Sequence, residues 1–66
     1  MDLEIGQRVQ VQRLRDRGGK SLAPRLGKIG VIKDYKVLDG KSIGALVTFE
    51  SDSFTTWFFE DELRPA

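Results

Sequence analysis

The 66-residue sequence contains no cysteine and no histidine. Without cysteine the chain can form neither a disulfide nor an iron–sulfur cluster, and without histidine it lacks the usual general base and the usual nitrogen ligand for zinc. Its carboxylates fall in predicted turns, with no apolar pocket to raise a pKa and no partnered nucleophile. We therefore expect a protein that holds no cofactor or metal and is not an enzyme by itself.

Long apolar runs are missing as well. No stretch approaches the ~18 apolar residues of a membrane span, and the first four residues are acidic where a signal peptide would be basic. These features predict an intracellular protein without a membrane anchor of its own. A chain this short buries about 60% of its unfolded surface, so we expect residues 1–66 to form one domain that depends on apolar strands.

Apolar and polar residues alternate along most of the chain, which is the period of half-buried strands. The pattern predicts strands over residues 6–12, 28–36, 43–50 and 54–59, with a hairpin turn at Asp39-Gly40. A bulge or strand end near Arg13 would return Leu14 to the core, and Gly30 inside a strand suggests a bend or a close backbone approach.

Two segments do not alternate. Residues 15–26 combine Gly18-Gly19 and Ala23-Pro24 with several basic groups, which predicts a long loop. Residues 60–63 suit a single 3₁₀ turn that places Leu63 on the open end of a barrel and ends before Pro65. Together the pattern predicts an all-β fold, a small antiparallel barrel of about five strands with a 3₁₀ turn near the C-terminus.

The charges are segregated along the chain. Residues 8–36 hold nine basic and two acidic residues, whereas residues 42–66 hold five acidic residues and one basic residue. One interpretation is a dipolar molecule whose basic face steers an acidic partner toward it. The other is that the charges only keep a small domain soluble.

The order of these features resembles the SH3-like barrels: Ile5-Gly6-x-x-Val9-x-Val11, a basic loop, Gly27-Lys28-x-Gly30-x-Ile32 and Val47-x-Phe49. One branch of these barrels is the KOW-type module of ribosome-associated proteins, which implies RNA binding as an alternative function. Against RNA, the aromatic residues cluster beside the acidic residues 60–62, where phosphate would be repelled.

The C-terminal segment, Phe58-Phe59-Glu60-Asp61-Glu62-Leu63, is similar to the end of a family of small SH3-like photosystem I proteins that help dock ferredoxin. The arginine-rich loop and the Thr55–Phe59 run depart from that family. From Glu4 to Leu63 the chain resembles subunit S of the photosynthetic NAD(P)H dehydrogenase-like complex (an NAD(P)H-quinone oxidoreductase) of cyanobacteria and chloroplasts.

This resemblance implies a non-catalytic subunit that docks reduced ferredoxin onto a plastoquinone-reducing complex, in cyclic electron flow around photosystem I. Its partners would be ferredoxin and the other subunits of that complex. It would lie peripherally on the cytoplasmic side of the thylakoid membrane, which is the stromal side in chloroplasts, and touch the membrane only through the complex.

Basic residues are the candidates for ferredoxin docking because a ferredoxin is strongly acidic. The forked guanidinium groups of Arg13, Arg15 and Arg17 can pair with carboxylates, but a solvated strand end, or pairing with Asp16 or the acidic C-terminal segment, is the alternative. Each of the remaining candidates, taken alone, fits a solubilising charge better than a docking contact. The full set is Arg13, Arg15, Arg17, Lys20, Arg25, Lys28, Lys33 and Lys36.

Aromatic residues occupy both faces of the strand over residues 54–59, and a barrel interior can take only one face. Trp57 and Phe59 are therefore candidates for contact with the host complex. The alternative is that the loop over residues 15–26, or a chain terminus, covers them. Residues 60–62 are predicted to cap the 3₁₀ turn and stay solvated, with contact to the complex as the alternative.

Overall fold

The computed structural model describes residues 3–15, 22–37, 40 and 43–66. Five strands pair antiparallel in one sheet, in the order β4-β3-β2-β1-β5. They are β1 (Arg8–Val11), β2 (Ile29–Val37), β3 (Ile43–Phe49), β4 (Thr55–Phe59) and β5 (Leu63–Pro65). A 3₁₀ turn (Ala23–Arg25) precedes β2, and a second one (Glu60–Glu62) joins β4 to β5. The predicted all-β fold, with a 3₁₀ turn near the C-terminus, is confirmed.

One side of the curved sheet forms the core. The alternating residues of β1 and β3 point inward as their pattern predicts, and Phe49 packs edge-to-face on Phe58 with ring centroids 5.8 Å apart. Leu14, just beyond the end of β1, packs half-buried against this core, as expected if the strand ends before it. The buried apolar residues of the described chain are Leu3, Val9, Val11, Ile32, Ala45, Val47, Phe49, Phe58 and Leu63.

Gly30 is required by a close approach between β2 and β3. A Cβ at this position would lie 2.6 Å from Val47 Cγ1 and 2.7 Å from the Thr48 carbonyl oxygen. The close backbone approach suggested by the sequence is confirmed, because no side chain fits against a backbone oxygen at that distance.

The structure also contains features that the alternation did not reveal. The β2–β3 register shifts between Ile32 and Asp34, so the strand carries a bulge there. The predicted long loop contains the first 3₁₀ turn, and residues 16–21 lie outside the described part. At the hairpin turn Gly40 has a φ of 84°, while Asp39 is not among the described residues.

The last strand was missed because it is too short to show a period. Pro65 was expected only to follow the turn, yet Leu63–Pro65 pairs with β1, with Val11 opposite Leu63 and Val9 opposite Pro65. This pairing brings the C-terminal segment against the start of the chain and thereby positions the acidic turn.

Candidate interaction surface

The basic and acidic segments of the chain pair with each other. Because β1 lies beside β5, the arginines that follow β1 reach the second 3₁₀ turn, where Arg13 and Arg15 both pair with Asp61. Two further pairs join the basic segment to the β3–β4 turn. They are Arg8–Glu50, with 2.8 Å from Nε to Oε2, and Arg25–Asp52, with 2.9 Å from Nη2 to Oδ2.

These ion pairs match one of the alternatives offered for Arg13 and Arg15, pairing with the acidic C-terminal segment. The two guanidinium groups remain partly exposed and share the one carboxylate of Asp61, which offsets one of their two charges.

The ion pairs keep their carboxylates ionised. Hydrogen bonds from Arg15 and then Arg13 hold the pKa of Asp61 below its usual value. The hydrogen bond from Arg8 likewise lowers the pKa of Glu50, and that from Arg25 lowers the pKa of Asp52. Such carboxylates are unsuited to general acid catalysis near neutral pH.

Glu62 is buried, which corrects the expectation that residues 60–62 stay solvated. Its side chain has no exposed surface. Its Oε1 accepts the Phe59 backbone N–H at 2.8 Å, and its Oε2 accepts the Arg15 backbone N–H at 2.7 Å. Glu62 lies three residues after Phe59, which is the spacing of a capping-box glutamate. This spacing could have indicated the contact with Phe59 from the sequence. The contact with Arg15 depends on the fold.

Trp57 and Phe59 lie half-buried on the face of the sheet opposite the core. Their rings meet edge-to-face with centroids 5.0 Å apart, and Leu46 lies opposite Trp57 on β3. The Arg15 guanidinium carbon lies 4.0 Å from the centre of the Phe59 ring, and the Lys36 ammonium nitrogen lies 5.9 Å from that of Trp57. We refer to Arg15, Lys36, Leu46, Trp57 and Phe59 as the outer aromatic cluster.

This cluster brings together two of the basic candidates and both aromatic candidates. It also includes Leu46, which the sequence analysis did not single out. The contact with Arg15 partly matches the alternative that the loop over residues 15–26 covers the aromatic face, since Arg15 begins that loop.

The other basic candidates are dispersed. Arg25 packs over the rings of Phe49 and Phe54, at 4.8 and 4.3 Å, and its side chain is only 19% exposed, so its role is structural. Lys28 lies just before β2 and Lys36 lies near its other end. Lys33 lies exposed at the bulge between them. Arg17 and Lys20 lie outside the described residues.

Within the described ranges no three carboxylates come close enough to bind a metal ion together. Nor does this part of the chain contain a helix that is long and apolar enough to cross a membrane.

Comparisons with known proteins identify the family. Residues 5–64 match the family described as "Cytochrome b6f, subunit Tsr0524-like". The solution structure of the cyanobacterial cytochrome b6f complex subunit PetP superimposes with a TM-score of 0.84 at 43% identity, covering 96% of this chain and 78% of that one. "Uncharacterized protein ORF65" of Porphyra purpurea is 32% identical over 59 residues, 89% of each chain.

These matches overturn the resemblance to subunit S of the NAD(P)H dehydrogenase-like complex. The predicted docking of ferredoxin, the predicted partnership with that complex and its assigned role in plastoquinone reduction are wrong for this chain. The RNA-binding alternative has no support from the matches. The motifs behind the resemblance lie in strands and turns, so they indicated the fold but not the host complex. The chain belongs to the Tsr0524-like family of cytochrome b6f subunits.

Proposed function

We propose that this protein is a small, non-catalytic subunit of a cytochrome b6f complex, held at the periphery of the thylakoid membrane in photosynthetic electron transport. The observation that carries the proposal is the family match over residues 5–64. The likeness to PetP, itself named as a subunit of that complex, supports it at 43% identity. A position on the cytoplasmic (stromal) side is part of the same proposal.

The outer aromatic cluster is our candidate for the contact with the complex. Large aromatic side chains with arginine beside them are typical of the residues that contribute most to binding at protein interfaces. Here Trp57 and Phe59 are half-buried on an outer face, and each has a cation over its ring. Arg15 also pairs with Asp61, as Arg8 and Arg25 pair with carboxylates elsewhere in the domain.

Co-purification tests the assignment to the complex. The affinity-tagged full-length chain, expressed in a cyanobacterium that lacks its own copy, is recovered from thylakoids solubilised in mild detergent. We expect the haem absorbance of cytochromes b6 and f in the eluate. Recovery of NAD(P)H dehydrogenase-like subunits without these cytochromes would refute the proposal. Protease added to sealed thylakoids should degrade the protein if it lies on the cytoplasmic side, and protection would exclude that side.

Paired aromatic substitutions test the contact surface. Trp57→Ala removes the centre of the outer aromatic cluster, and we expect it to lower retention on the complex by at least ~10-fold, as loss of an interface anchor does. Phe54→Ala is the matched control, because Phe54 is 42% exposed and stacks on Phe49 away from the cluster. Circular dichroism establishes that both variants fold. Equal retention of the two folded variants on the complex would refute the assignment of the outer aromatic cluster as the contact surface.

A further inference from the structure

The face of the sheet opposite the core stays apolar beyond the outer aromatic cluster. Thr48 of β3 lies two residues after Leu46 of the cluster, and Val31 of β2 lies opposite Thr48. Paired and alternate residues share a face of a sheet, so Val31 and Ile29 lie on the same face as the cluster. Both are half-buried, like the apolar members of the cluster. We refer to Ile29, Val31, Leu46, Trp57 and Phe59 as the outer apolar strip.

Two of the strands are therefore apolar on both faces. In β2 the side chain of Ile32 is fully buried in the core, while Val31 beside it lies on the outer face. In β4 the side chain of Phe58 is fully buried, while Trp57 lies outside. An antiparallel sheet with one solvated face alternates apolar and polar residues, whereas strands that are apolar on both faces are typical of sheets covered on both sides.

Polar side chains beside the strip already hydrogen-bond to one another. The hydroxyl oxygens of Thr48 and Thr55 lie 2.7 Å apart. Arg8 donates to both carboxylate oxygens of Glu50, at 2.8 Å from Nε and 3.2 Å from Nη2. Burial of a polar group is costly mainly when the group lacks a hydrogen-bond partner. A protein surface can therefore cover this part of the face without leaving these groups unsatisfied.

Lys36 is an exception at the edge of the strip. It lies opposite Gly44, and its ammonium nitrogen lies 5.9 Å from the centre of the Trp57 ring. It forms no ion pair with any residue in the described ranges. The carboxylate of Asp34, two residues before it, instead accepts the backbone N–H of Tyr35 at 2.8 Å. A partner that covers the strip must therefore supply an acceptor for this ammonium group, because a desolvated charge without one is costly.

We propose that the outer apolar strip is covered by an apolar surface of one cytochrome b6f subunit, which places a carboxylate beside Lys36. A carboxylate both accepts the ammonium N–H and offsets its charge, and such a pair fixes the register of an interface. The inference rests on the proposed function and deepens it. It extends the contact from the outer aromatic cluster to β2, and it names the chemistry of the surface that meets the strip.

Retention of the tagged chain on the cytochrome b6f complex tests the aliphatic part of the strip. Val31→Ala should lower retention about 5-fold, because two methyl groups no longer reach the partner and part of Val31 is already covered in the free domain. Val37→Ala is the matched control, since Val37 belongs to the same strand, lies on the opposite face and is 68% exposed. We expect the control to leave retention unchanged. Circular dichroism establishes that both variants fold.

Charge substitutions test the carboxylate of the partner. Lys36→Glu should lower retention at least ~10-fold, because two carboxylates would then meet. Lys36→Gln lacks the charge without reversing it, so it should lower retention less and make retention less sensitive to salt. Lys28→Glu is the matched control, because Lys28 is exposed just before β2 and likewise forms no ion pair with a described residue. We expect the control to be retained as the unaltered protein is.

Photo-cross-linking in the assembled complex identifies what covers the strip. The probe is p-benzoylphenylalanine in place of Thr55, which is exposed on the outer face opposite Thr48. We expect a cross-link to one cytochrome b6f subunit, at a segment that contains an acidic residue. The same probe in place of Phe54, whose ring stacks on the core residue Phe49, should not cross-link to that segment.

Several results would overturn the proposal while the unaltered protein still co-purifies with the complex. These are unchanged retention by folded Val31→Ala or Lys36→Glu, equal losses in the matched controls, or a cross-link from position 55 only to a second copy of this chain. If Val31→Ala does not fold, Lys36→Glu decides. Failure of the unaltered protein to co-purify with the complex would instead refute the proposed function itself, so the two failures are distinguishable.

Discussion

Replacing Glu62 with glutamine should destabilise the fold severely while hardly changing its shape. The substitution exchanges one carboxylate oxygen for an NH₂ group of nearly equal size. In the folded protein both oxygens accept backbone N–H groups, from Phe59 at 2.8 Å and from Arg15 at 2.7 Å. A glutamine can accept only one of them, and its NH₂ group then faces the other donor in a buried site.

The cost follows from these two contacts. Loss of one hydrogen bond to a charged group costs about 1.5–3 kcal/mol. A chain of this size is expected to have only about 3–5 kcal/mol of stability. Glu62→Gln should therefore remove roughly half of the unfolding free energy.

Urea denaturation followed by the fluorescence of Trp57 measures this loss. Trp57 is the only tryptophan in the sequence, so the signal reports on β4, next to the turn. Glu4→Gln is the matched control, because Glu4 is exposed and should tolerate the change within about 0.5 kcal/mol. A Glu62→Gln variant whose unfolding free energy also stays within that margin would refute the claim that the two backbone hydrogen bonds to Glu62 stabilise the fold.

Two further predictions concern the sheet and the ion pairs. Gly30→Ala should cost at least about 2 kcal/mol in urea denaturation because its methyl group would meet Val47 and a backbone oxygen. Gly40→Ala, where only the positive φ is unfavourable, should cost about 1 kcal/mol, and equal costs would contradict the steric argument. The second prediction concerns pH. A carboxyl with a lowered folded pKa stabilises the protein above its unfolded pKa of ~4 and loses that contribution as pH falls through the folded pKa. The urea midpoint should therefore stay level from about pH 5 to pH 7 and should decrease once the pH is below about 4, less steeply in high salt. A decrease that begins near pH 6 would contradict the assignment of the lost stability to Glu50, Asp52 and Asp61.

The mistaken host complex shows where motif reasoning reaches its limit. The features that carried the resemblance to subunit S were strand residues, a basic loop and a closing Asp-Glu-Leu. The strand residues and the closing Asp-Glu-Leu have structural roles in this fold. Leu63 is a core residue, and the buried carboxylate of Glu62 accepts the backbone N–H of Phe59. Residues that stabilise the fold, such as these, indicate the fold. The partner is selected by surface residues, which follow no regular period along the sequence.

Local periodicity determined most of the fold. The alternation placed Val9, Val11, Ala45, Val47 and Phe49 in the core, because the two-residue period of a strand is a property of its own backbone. It could not place β5, whose three residues are too few to show a period, or the bulge after Ile32, which depends on how two strands pair.

The charges are the clearest case of what only the tertiary structure decided. In the sequence, Arg15 lies 46 residues from Asp61 and belongs to a basic segment. The pairing of β1 with β5 brings the two into contact. It also places the Arg15 backbone N–H on the buried carboxylate of Glu62. Charges that are segregated along the sequence therefore become ion pairs in the fold. Similarly, Val37 and Ile43 fit the inward pattern of their strands, but the lengths of the neighbouring strands leave them exposed. The sequence determined which side chains could form each strand face, because that depends on local backbone geometry. Which of them meet a partner depended on strand register and length, which arise only when distant segments pack together.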